Sequence, residues 1–160
     1  MNPAAGFAQA LQDSSFAAAI RGGTLIYPFV NVAHVLGVAL LVGAIVALDG
    51  RVLGFVRQVP ADAASRLLTP FAVAGLVLAV PSGIALFVSD AVSLSRNVLF
   101  LSKLVLIAAG VANAFLFRHW WNARLANWDR APPVAGRVQA VLSIAIWIVA
   151  LSLGRLIAYI

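Results

Sequence analysis

Apolar residues fill four long stretches of this chain, at 24–48, 67–89, 98–117 and 138–157. Crossing roughly 30 Å of hydrocarbon takes about 20 apolar residues in a helix, so each stretch predicts one transmembrane helix. Ahead of them, Phe7, Leu11, Phe16 and Ile20 recur at roughly helical spacing, with Asp13, Ser14 and Ser15 between. That pattern predicts a short amphipathic helix over 4–20, lying on the membrane surface and ended by Gly22 and Gly23. The connections DGRVLGFVRQVPADAASR, DAVSLSRN and RHWWNARLANWDRAPPVAGR are short, so successive spans should return antiparallel. The expected fold is all-α: a transmembrane up-down four-helix bundle over 24–160, preceded by a surface helix and tail over 1–23.

Composition supports this reading. The 160 residues are 63% hydrophobic and only 10% charged, too apolar for a soluble globule. No cysteine is present, which excludes disulfides, cysteine-based zinc sites and iron–sulfur clusters built from this chain alone. The single methionine argues against a soft copper(I) relay. The excess positive charge is carried mostly by arginine and reads as topogenic and lipid-facing rather than as a nucleic-acid footprint. The first residues have neither the basic start nor the apolar core of a signal peptide. Arg51, Arg57, Arg66, Arg118, Arg124, Arg130 and Arg137 lie in the first and third connections, against Arg21 and Arg96 on the other side. Positive charge favours the cytoplasmic side, so both termini are expected outside, with Trp120, Trp121 and Trp128 as an aromatic anchor at the inner interface.

Polar residues inside the spans carry the candidate chemistry. Tyr27, Asn31, His34 and Gly37 fall on one helical face. Lys103 sits five residues into the third span, Arg155 near the outer end of the fourth, and Ser82 on the outer half of the second, beside Pro81. Ionisable residues within spans are costly and usually face an interior or a cavity. Their similar depth points to a basic pocket open to the outer side, formed by Tyr27, Asn31, His34, Ser82, Lys103 and Arg155. Lys103 and Arg155 are equally able to snorkel to lipid phosphates, and His34 to fix helix packing through one hydrogen bond. His119 follows the third span on the opposite side, too far in depth to share one haem with His34. Asp49 and Arg51 read as a helix end with a local ion pair. Gly37, Gly43, Gly75, Ala79, Gly83 and Gly110 offer close helix contacts, and Asn113 a bond across helices. No carboxylate pair, Ser–His–Asp set or phosphate loop is present, so the chain is not expected to be an enzyme on its own.

The stretches IRGGTLIYPFVNVAHVLGVALLVGAIVALDGRVLG, LTPFAVAGLVLAVPSGIALFVSDA, FLSKLVLIAAGVANAFLF and SIAIWIVALSLGRLIAY resemble an uncharacterised family of small bacterial four-span inner-membrane proteins. The resemblance runs from about residue 5 to the end. It rests on Tyr27, Pro28, His34, Gly37, Gly43, Asp49, Arg51, Pro81, Gly83, Lys103, Asn113, Gly154 and Arg155, and departs at Gly50, where such proteins more often carry leucine. In plan the chain is also loosely similar to copper-resistance D and cytochrome b561-like membrane domains, without the paired histidines of a b561 haem site. The expected function is that of an anchor or accessory subunit of an outward-facing redox system in the bacterial inner membrane. It would hold haem b, with His34 as a ligand to the iron, or a quinone, with Lys103 and Arg155 pairing acidic or polar groups. A small transporter or import factor for an anionic solute or metal complex is the alternative, and a structural partner of a larger complex a third. The expected partners are the lipid bilayer, a membrane or periplasmic protein, and a second copy of the chain; no nucleic acid is expected.

Overall fold

The computed structural model describes residues 3–159. Residues 1, 2 and 160, the extremities of the expected surface segment and bundle, lie outside the described residues. The chain is helical almost throughout. Two short helices, α1 (Pro3–Gln12) and α2 (Ser15–Gly22), precede the long α3 (Ile26–Leu53) and α4 (Ala61–Ser89). A single turn, α5 (Ala91–Leu94), leads to α6 (Val98–Trp121), a 3₁₀ segment (Asn122–Asn127) and α7 (Val134–Leu156), with a last 3₁₀ turn at Ile157–Tyr159. The four long helices are each long and apolar enough to cross a membrane, and their rims of exposed Phe, Leu, Val and Ile fit a lipid surround. The protein is a multi-pass membrane protein with an all-α four-helix bundle.

The expected single surface helix is two. Ser14 ends the first by donating its hydroxyl to the Leu11 carbonyl at 2.6 Å, and its Oγ caps the second by accepting from the Ala17 amide. The pair packs across one end of the bundle, burying Ala8, Ala17 and Ile20 while Phe7 and Phe16 stay exposed. Arg21 ties it down by donating to the carbonyls of Ser89 and Gln12, each at 2.8 Å. Gln12 in turn accepts from the Val92 amide at 2.9 Å.

The long helices outrun the apolar stretches that announce them. α3 continues through Asp49 and Arg51 to Leu53 and stops at Gly54, whose φ of 108° lies in the left-handed region that favours glycine. α4 starts immediately after Pro60, six residues before Leu67, and its first turns are held by an Arg66–Asp62 ion pair at 2.7 Å. The expected Asp49–Arg51 pair does not form. Side chains two apart on a helix diverge, and Arg51 instead reaches Asp129 and the Val59 carbonyl. The tryptophans also divide. Trp128 is only 2% exposed and donates to the Val52 carbonyl at 2.9 Å. It packs with Leu125, Ala61 and Ala140, edge-on to Trp121, so only Trp120 is free to anchor at an interface.

The helix pairs are knitted unequally. The α3–α4 interface is the most extensive, followed by α6–α7 and then α3–α7. At the α3–α4 crossing a Cβ on Gly37 would fall 2.6 Å from the Ala79 amide nitrogen and 2.9 Å from the Gly75 carbonyl, so glycine is what allows the two backbones to touch. Gly43, grouped with it by sequence, has nothing within 4 Å of its added Cβ. Between α6 and α7 the ring of Trp147 covers Gly110, and Asn113 donates to the Gln139 carbonyl at 3.1 Å, the expected cross-helix bond. α4 and α6 form no such seam. Their side chains meet where Phe87 stacks on Phe100, at one end, and where Arg118 donates to Thr69, at the other.

Candidate functional site

His34 lies on α3, about two turns below its α1/α2 end. It faces α4 through a gap left by small residues. Its Nδ1 is 2.9 Å from the Ala79 carbonyl and 3.2 Å from Ser82 Oγ. A carbonyl only accepts, so in the neutral ring Nδ1 bears the hydrogen and Nε2 keeps its lone pair. The Ser82 hydroxyl donates to the Leu78 carbonyl at 2.6 Å, which leaves Oγ free to accept from Nδ1. A Cβ on Gly83 would stand 3.0 Å from His34 Cε1, so the glycine after Ser82 makes room for the ring. Ala79, Ser82 and Gly83 of α4 thus shape a seat for one imidazole.

Lys103 of α6 is part-buried, its chain lying over Gly154 of α7, whose added Cβ would be 3.2 Å from Nζ. Of the six residues expected to converge, the structure brings His34 and Ser82 into contact, while Lys103 packs against Gly154 of α7. Arg155 is not part of this group. It is exposed, stacks 4.8 Å from the Tyr159 ring centroid and donates to the Tyr159 hydroxyl. Tyr27 and Asn31 are exposed on α3. They share the His34 face in sequence, but both side chains stay exposed, and the residues of that face that pack against α4 are His34 and Gly37. His119 is exposed at the far end of α6.

Two features escape the sequence pattern. Asp49 is 8% exposed in α3, faced by Ser143 of α7, and its Oδ2 has no hydrogen-bond partner among the described residues. Between α4 and α6, at the arginine-rich end, lies a cavity of about 360 Å³. It is walled by polar residues of two helices that sequence separates by some fifty positions, so only the fold assembles it.

As candidate haem or quinone residues, His34, Ser82 and Lys103 fit in part. A histidine that ligates metal normally donates its other ring hydrogen to a carbonyl or carboxylate, and Nδ1 does so here. Among the described residues no three His, Cys, Asp or Glu side chains cluster to hold a metal ion by themselves. Fold and site define a four-span, all-α membrane protein with one oriented intramembrane histidine. Comparison with family models, curated proteins and solved structures gives no match.

Proposed function

We propose that the protein is a bacterial inner-membrane anchor or accessory subunit of a redox system. In this reading it presents His34 Nε2 to a haem b iron or to a quinol hydroxyl. The arginine-rich end faces the cytoplasm and the His34 end the periplasm, as the positive-inside rule orients such loops. The observation that supports the reading best is the Nδ1–Ala79 carbonyl bond at 2.9 Å. It orients the ring and leaves one lone pair for an acceptor role or for iron. In this reading Lys103, part-buried on α6 against Gly154, supplies a cation for a propionate or a quinone oxygen. Haem would supply one-electron chemistry; the chain's part is to hold, orient and shield it.

The test is the absorption spectrum of purified protein, oxidised and dithionite-reduced, with organic extraction of bound quinone, beside His34→Ala. A Soret band that shifts on reduction and disappears in the variant, or a quinone lost with it, is expected. A featureless spectrum with no extractable quinone, from cells well supplied with haem, refutes the reading. Transport of an anionic solute would then move ahead, since the polar cavity at the opposite end gives that reading the second vestibule it needs.

A further inference from the structure

The cavity between α4 and α6 has no part in the His34 site, which lies at the other end of the bundle. Its polar wall is Asp62, Ser65, Arg66 and Thr69 from α4, with Arg118 and Asn122 from the end of α6 and the turn after it. Leu125 and Pro70 close the apolar side. Its volume of about 360 Å³ falls in the range, roughly 300–1,000 Å³, of small-molecule sites.

Three observations define what it would take. First, the charge is positive: two guanidiniums face one carboxylate, and Asp62 is already neutralised by Arg66 at 2.7 Å. Second, the donors converge from different elements. Arg118 reaches across the seam to Thr69 Oγ1 at 3.2 Å, which leaves its remaining N–H groups for a ligand. The Ser65 hydroxyl is buried in the wall, and the Asn122 amide stands at the rim. Third, the depth is set by the sequence. Arg66 immediately precedes the apolar stretch of α4, and Arg118 immediately follows that of α6, so both lie where hydrocarbon gives way to headgroups. Between that Arg118–Thr69 bond and the Phe87–Phe100 stack at the far end, the α4 and α6 backbones approach little, unlike α3–α4, α6–α7 and α3–α7.

We propose that this cavity is a phosphate-binding site, with Arg66 and Arg118 as the clamp and Thr69, Ser65 and Asn122 as supporting donors. Forked guanidinium pairs suit tetrahedral oxyanions. The phosphate belongs either to the headgroup of an anionic phospholipid, its tails running down the α4–α6 gap, or to a free phosphate compound.

Native mass spectrometry of the protein released from phosphatidylcholine nanodiscs doped with phosphatidylglycerol tests the lipid source. Thermal shift of the detergent-purified protein with inorganic phosphate tests the free one. The expected result is retention of phosphatidylglycerol over phosphatidylcholine. Arg118→Ala should reduce it about tenfold, the loss of one charge-assisted pair. Arg130→Ala removes an equal charge from an exposed loop at the same end and should leave retention unchanged. Stabilisation by inorganic phosphate that Arg118→Ala abolishes, without lipid retention, supports the same site with a free ligand. If Arg118→Ala does not fold, Arg66→Gln is read in the same way. The proposal is overturned if neither probe binds, or if the cavity variants behave like wild type or like Arg130→Ala.

Discussion

Replacing Gly37 by alanine adds one methyl group at the tightest point of the bundle. The new Cβ would stand 2.6 Å from the Ala79 nitrogen and 2.9 Å from the Gly75 oxygen. Both obstacles are backbone, so no side-chain rotation relieves them. Carbon contacts are comfortable at about 3.5 Å, so α3 and α4 must part locally by roughly 0.9 Å. A gap of that size forfeits a quarter to a half of the dispersion well of each facing atom pair, and overpacking of this kind costs about 1–3 kcal/mol. Better helix propensity returns less than about 1 kcal/mol. Gly43→Ala is the internal control: it lies in the same helix, adds the same methyl group and meets nothing within 4 Å. It should be neutral or stabilising by up to about 1 kcal/mol. Unfolding of detergent-solubilised protein by SDS, followed by far-ultraviolet circular dichroism, should therefore separate the two variants by about 2 kcal/mol. Because His34 is one turn from Gly37 and bonds the same Ala79 residue, Gly37→Ala should also stretch the His34–Ala79 bond beyond hydrogen-bonding range. Coincident unfolding curves would refute the argument that glycine at 37 sets the helix distance.

Asp129 answers Arg51, which is 4% exposed while Asp129 is 43% exposed. The hydrogen bond from Arg51, with Arg57 adding a charge, holds the Asp129 carboxyl below its usual range. A depressed carboxyl stabilises the fold fully above the ordinary aspartate value of about 3.9 and loses that contribution as pH falls through its lower folded value. Midpoint temperature should drop across that window in wild type and less steeply in Asp129→Asn. At pH 7 the variant should be less stable by about 1–2 kcal/mol, a buried-pair loss discounted for the exposure of Asp129; equal midpoints at pH 7 would show that Arg51 needs no counter-charge. The proposed orientation predicts that a cysteine placed by Pro60→Cys resists an impermeant thiol reagent added outside intact cells and reacts once they are opened. Ready labelling from outside would reverse the topology.

Hydropathy located all four spans because burial in lipid demands long uniform apolarity. It missed their ends because a helix continues wherever its polar side chains find partners. Asp49 and Arg51 lie past the apolar stretch of α3, yet Leu53 still belongs to the helix. The partner of Arg51 is 78 positions away, and no local pattern encodes such a distance. The composition of the N-terminal helices was legible, but their break was not, since it turns on which atoms Ser14 bonds. At the site, His34 and Ser82 were legible as costly polar residues at equal depth. Arg155 was misplaced because depth says nothing of azimuth, and Tyr159 was close enough to claim it. Gly37 and Gly43 look alike in sequence; only the path of α4 makes one indispensable.

The unequal knitting of the bundle divides it into two hairpins, α3 with α4 and α6 with α7, joined along α3 and α7. The unsealed seam between α4 and α6 is where the least contact must break for the hairpins to swing apart. His34 and Ser82 ride on one hairpin, Lys103 and Gly154 on the other. Arg66 and Arg118 are divided in the same way. The seam between the two hairpins therefore borders the polar groups at both ends of the molecule.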